Sequence, residues 1–138
     1  MRKPRDHPQR GAQLVEMALV LFLLLMLLGG VVDVGRAFNK YIIITNAARE
    51  GARYGSHFPA DDVGIRKAAR DEAAQAGVDL ADSNVIISRL GGIASGQPIK
   101  VRVEWSVSTV MVGILRFGSI PMANEVQMII YGVHPGSP

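Results

Sequence analysis

The chain has 138 residues, of which 49% are hydrophobic, with no cysteine and a formal net charge of +3. That length leaves room for one small domain beside any membrane segment, and the missing cysteines exclude disulfide frameworks, thiolate-bound zinc and thiol catalysis. The net charge is local: Arg2, Lys3, Arg5 and Arg10 against Asp6 account for it, the rest of the chain balances, and no basic face for nucleic acid is expected.

Residues 1–11, MRKPRDHPQRG, hold two prolines and no apolar run, and read as an unstructured cytoplasmic leader. The next stretch, 12–32 (AQLVEMALVLFLLLMLLGGVV), has Glu16 as its one charge. As a helix it is about 30 Å long, the thickness of a bilayer's hydrocarbon core. We read it as a transmembrane helix, with the basic leader kept in the cytoplasm and the remainder outside. A cleaved secretory signal is a weaker reading, because the apolar run is long and no small-x-small cleavage site follows it. A carboxylate at mid-membrane costs about 2.5–3.5 kcal/mol, and less near the interface. Glu16 is thus either an interfacial group favouring the helix N-terminus or a group with a partner.

Helical spacing continues past the membrane. Val34, Phe38, Ile42, Thr45, Ala48 and Ala52 recur at steps of three or four, while Asp33, Arg36, Lys40, Arg49, Glu50 and Arg53 take other faces. One helix is expected from Ala12 to Tyr54, about 64 Å long, whose upper part (33–56) is amphipathic and covers something. Gly29, Gly30 and Gly35 at the membrane exit permit a bend or close packing. In TNAAREGARYG, Glu50 and Arg53 are spaced for an ion pair. Asn46, Arg49, Glu50 and Arg53 are read as a helix–sheet docking surface, with a partner subunit as the other candidate. The small residues Ala47, Ala48, Gly51 and Ala52 allow close backbone approach.

The remainder, 57–138, is expected to form a small extracytoplasmic α-β-β-β domain. Pro59 breaks the first helix, Asp61 or Asp62 caps a second over 62–76, and Gly77 ends it. Residues 84–90 form a strand. Residues 99–109 alternate Ile99, Val101, Val103, Trp105, Val107 and Thr109 against polar neighbours, the pattern of a half-buried antiparallel strand. An apolar connection follows at 111–120, then a third strand at 125–131. Asp79, Asp82, Ser83 and Asn84 lack calcium-loop spacing. His7, His57 and His134 are dispersed, and no hydrolase, P-loop or zincin motif occurs, so neither an enzyme nor a bound cofactor is expected. The fold class is α+β: a long N-terminal helix packed on a small antiparallel sheet with one extra helix.

Three segments, AQLVEMALVLF, LLGGVVDVGRAF and TNAAREGARYGS, together resemble the TadE-like family, small pilin-like proteins of tight-adherence (Flp-type) pilus systems. The likeness covers about residues 10–56 and continues beyond only in pattern. Phe22 and Leu23 stand where the family usually has a proline, and RGAQLVEMALV also resembles the processing site of type IV pilin-like proteins, with Ala12 in place of the more usual aromatic residue. The resemblance implies a pilin-like minor subunit in a bacterial inner membrane. It also implies cleavage by a prepilin peptidase between Gly11 and Ala12, which makes Glu16 the fifth mature residue and an assembly group. Implied partners are other pilin-like subunits, an inner-membrane assembly platform and an assembly ATPase. An uncleaved, signal-anchored protein that binds a partner outside is the alternative.

Overall fold

A computed structural model describes residues 8–107 and 119–131. Helix α1, Pro8–His57, runs unbroken for 50 residues, about 75 Å. It starts inside the stretch expected to be an unstructured leader, with a proline in its first turn, where the missing N–H and preset φ cost nothing. Residues 1–7 lie outside the described residues. The glycines at 29, 30 and 35 leave the helix continuous.

Helix α2, Asp62–Gln75, begins at Asp61, whose carboxylate accepts the Gly64 N–H at 2.9 Å. It ends as its sequence dictates. Gly77 adopts φ +74°, its N–H donates to the Ala74 carbonyl, and the Val78 N–H reaches back to Ala73 at 2.9 Å. These are the two bonds of a Schellman motif, and only the glycine takes the left-handed turn without strain. Val78 and Ala73 are both buried, supplying the apolar contact that accompanies the motif.

Three strands form an antiparallel meander: β1 Val85–Arg89, β2 Pro98–Val107 and β3 Ile120–Ile129, in spatial order β1-β2-β3. The register sets Val85 opposite Val103, Ile87 opposite Val101, Val101 opposite Val126 and Ile99 opposite Met128. All these side chains share the inner face. Lys100, Arg102 and Glu104 fall on the outer face, where Lys100 pairs with Glu125 at 2.9 Å. The third strand differs from the expected 125–131: it begins at Ile120 and ends at Ile129. Its inner face is built from Met122, Val126 and Met128, spaced two apart, and that alternation is diluted in the sequence by Asn124. Most of the apolar connection expected at 111–120 lies outside the described residues.

The core is one cluster where α1, α2 and the sheet meet. Ile43, Ile44, Ala47, Ala48 and Ala52 of α1 pack with Ile65, Ala69 and Ala73 of α2, and with Val85, Ile99, Val101 and Val103 of the strands. Trp105 is half-buried at its margin. The molecule is therefore α+β: a long apolar helix whose upper part, with a second helix, packs on a three-stranded antiparallel sheet.

Candidate functional site

Two regions of α1 carry the candidate residues. The first is the apolar segment. From Gly11 to Leu28 every side chain is exposed, Leu14, Phe22 and Leu27 among them. Among the described residues, this is the one helix long and apolar enough to cross a membrane. Gly11 and Ala12 lie within the helix, and Glu16 stands on its exposed surface one turn after Ala12. Among the described residues Glu16 has no ion-pair partner. Asp33, at the upper end of the segment, is buried rather than on a solvated face.

The second region is the docking stripe at 43–56. Adding a Cβ shows how tightly it is packed. At Gly55 the new atom would stand 2.7 Å from the Ile99 side chain and 3.1 Å from Ile65. At Gly51 it would meet Ala69 and Val101, both at 3.2 Å. So α1 is pinched between α2 and the inner face of β2 at these two glycines, a small-xxx-small spacing that lets backbones approach. The expected covering stripe is thereby rotated. Ala48 and Ala52 are buried, but Val34, Phe38 and Ile42 are exposed, and Ile43, Ile44, Ala47 and Gly51 do the covering. The small residues win because the sheet comes too close for larger ones.

Asn46, Arg49 and Arg53 are exposed, and Glu50 is half-buried. Glu50 and Arg53 form the ion pair their spacing allows, with the Arg53 Nε–H donating to Glu50 Oε2 at 2.8 Å. The guanidinium holds the Glu50 carboxyl below its ordinary value, and the carboxylate raises Arg53 in return. The contact of α1 with the sheet comes from the small residues between these four.

Polar docking is instead supplied by residues that the sequence did not single out. Asn124 lies on the inner face of β3, level with residues 41–45 of α1. Its side-chain amide donates to Tyr41 Oη at 2.9 Å and to Thr45 Oγ1 at 3.0 Å, and Thr45 donates in turn to the Tyr41 carbonyl at 2.8 Å. A polar residue among inward-facing apolar ones needs partners, and here it fixes where along α1 the strand sits. The signal was present as an asparagine at an inward position of β3.

At the turn between helices the Tyr54 hydroxyl donates to Asp61 Oδ2 at 2.8 Å, while Asp61 Oδ1 takes the Gly64 N–H. The Gly64 bond first, then Tyr54, stabilises the ionised carboxylate, so Asp61 titrates below its ordinary value and Tyr54 above its own. A side chain at Gly64 would collide with both partners. Arg89 braces the same corner, donating to the Pro59 carbonyl at 2.8 Å and pairing with Asp62. The Tyr131 N–H donates to the Ser56 carbonyl at 2.9 Å, tying the end of the sheet to the end of α1.

Among the described residues no group of three or more His, Asp or Glu side chains is placed to hold a metal ion. The polar turn at 79–84 is engaged otherwise: Asp82 pairs with Arg70 at 2.8 Å, and the Asn84 amide oxygen accepts the Ala81 N–H.

No curated protein and no solved structure matches the chain. A family model does match, over residues 11–53, and its description is TadE-like protein. That span takes in the apolar segment, Glu16, Asn46, Arg49, Glu50, Arg53 and Gly51, and stops short of α2 and the sheet. Over its apolar segment and most of its docking stripe, the chain is similar to TadE-like proteins.

Proposed function

We propose that the protein is a minor, pilin-like subunit for assembly of a tight-adherence, type IV-like pilus or secretion pseudopilus, and that it is a structural component rather than an enzyme. One observation carries the reading: the TadE-like match lies on a single continuous helix, apolar all round below and closely docked to a small head above. A subunit stored in a membrane and then moved into a filament needs both halves. The lower half must be soluble in lipid and in a bundle of like helices, and the upper half must carry its head rigidly.

On this reading the protein is single-pass in a bacterial inner membrane, leader inside and head outside. A prepilin peptidase removes residues 1–11. The cut frees an α-amine at Ala12, one turn below Glu16. Each group alone is costly in lipid, and pairing between neighbouring subunits neutralises both and sets their stagger. Asn46, Arg49 and Arg53, exposed on α1, and the half-buried Glu50 present a polar stripe to a neighbouring subunit. Partners are other pilin-like subunits, the inner-membrane platform and its ATPase.

The alternative, an uncleaved signal anchor, draws support from the helix, which runs through Gly11 and Ala12 and keeps that peptide bond in a helical turn. A peptidase must unwind this turn, a small cost at a helix end. Gly11→Ala separates the two readings in the native host. Retention of residues 1–11 and loss from filaments is the expected result. Filament entry at the normal level with the leader still attached would support the anchor's independence from processing. Glu16→Ala is expected to insert normally and to co-purify with filaments at least tenfold less.

A further inference from the structure

Two hydrogen-bonded ties give the sheet a vertical scale along α1. The Tyr131 N–H meets the Ser56 carbonyl, and Asn124 meets Tyr41 and Thr45. Between Asn124 and Tyr131 the chain, a strand as far as Ile129, spans about 23 Å at strand rise. Between the middle of Tyr41–Thr45 and Ser56 the helix climbs about 20 Å. The two rises nearly agree, so β3 ascends almost parallel to α1. Extending the scale downward from Asn124, Ile120 falls a further ~11 Å along the helix axis, level with residues 35 and 36. That is about 5 Å above Val32, the last residue of the apolar run. Val107 is paired with Ile120 and shares its height. A bilayer's polar headgroup layer is itself about 5–7 Å deep on each side.

Three exposed apolar side chains from distant parts of the sequence lie in that layer or at its outer edge. Val34 is 70% exposed and Phe38 64% on α1, and Ile120 is 44% exposed at the foot of β3. Val34 and Phe38 stand about 3 and 9 Å above Val32. In water they would be an unexplained apolar belt around the foot of the head. In a headgroup layer they are in a fitting solvent, and the exposed Arg36 lies among the phosphates.

We infer that the foot of the sheet, at Ile120, rests in the lipid headgroup layer beside Val34 and Phe38, giving the head a second contact with the membrane besides its helix. The inference rests on residues 12–32 spanning the bilayer. Its consequence is orientation: a head seated at two points keeps the Asn46–Arg49–Arg53 stripe upright along the membrane normal, facing sideways toward neighbours in the same membrane.

The absence of cysteine makes the test direct. Ile120→Cys, Phe38→Cys, Leu25→Cys and Tyr131→Cys are each nitroxide-labelled in the full chain and reconstituted into phosphatidylethanolamine–phosphatidylglycerol vesicles. Accessibility to oxygen and to a water-soluble nickel chelate is then read by electron paramagnetic resonance. Labels at 120 and 38 are both expected at interfacial depths, 120 the deeper by about 4 Å, with oxygen-to-nickel ratios severalfold above that at 131 and below that at 25. A label at 120 as open to nickel as the one at 131 would overturn the inference. So would a label at 120 closed to both reagents, which would mean a protein cover, whether from this chain or a second copy. Nickel access at 25 would instead refute the transmembrane reading itself.

Discussion

Asp61 does three jobs with one carboxylate: it starts α2, orders the turn after α1 and anchors Tyr54. Because its folded-state pKa lies below the ordinary value, its stabilising effect is complete above the ordinary carboxylate range. It is lost as pH falls through the folded value, where the native state must take up a proton. Tyr54 titrates above its ordinary value, so its share persists at neutral pH and fades only in strong base. Asp61→Ala is expected to destabilise the head by about 1–2 kcal/mol, the cost of a lost helix cap plus an orphaned hydroxyl. Asp61→Asn keeps most of the cap, yet its thermal unfolding midpoint should fall less steeply than that of the native protein between pH 7 and 3. Parallel pH profiles for the two would show that Asp61 is not the acid-sensitive group. This residue was legible beforehand as one of two candidate caps, because a capping position advertises itself by its place before a helix. Asn124 was not, since its meaning depends on strand parity and on a helix far away in sequence.

At the scale of elements, the decisive fact is how close α1 comes to β2. Glycine at 55 is needed there, and glycine at 35 is not: a Cβ at Gly35 meets nothing within 4 Å. Gly55→Ala should therefore cost about 1–3 kcal/mol of overpacking, reduced by up to about 1 kcal/mol of helix propensity. Gly35→Ala should be neutral or slightly stabilising. Denaturant midpoints of the head in detergent give the comparison, and equal shifts would mean the pinch is not tight. Elements with strong periodicity or clear punctuation were readable: β2 from its alternation, α2 from its aspartate and Gly77, α1 from its length. What the sequence concealed was the direction in which α1 faces. Apolar spacing pointed to Val34, Phe38 and Ile42 as covering residues, yet the buried stripe is made mostly of alanine and glycine, which a hydrophobicity pattern hardly registers. The large apolar residues lower on the helix fit a membrane span rather than the head.

For the whole molecule, the division of labour runs along one helix. Among the described residues, the core cluster takes no member from α1 below Ile43. Folding of the head and insertion of the span are thus separable. Glu16→Ala should leave the unfolding of the head unchanged while lowering filament incorporation, and a destabilised head in that variant would contradict this separation. The proposed processing and assembly residues, Gly11, Ala12 and Glu16, stand out in the sequence because a lone carboxylate in an apolar run and a glycine after a basic leader are rare patterns. The chemistry proposed for them lies between molecules, which a single chain does not display. The most direct measurement is the intact mass of the protein purified from native membranes. The account predicts a chain beginning at Ala12, with residues 1–11 removed. A chain beginning at Met1, or beyond Val32, would contradict it.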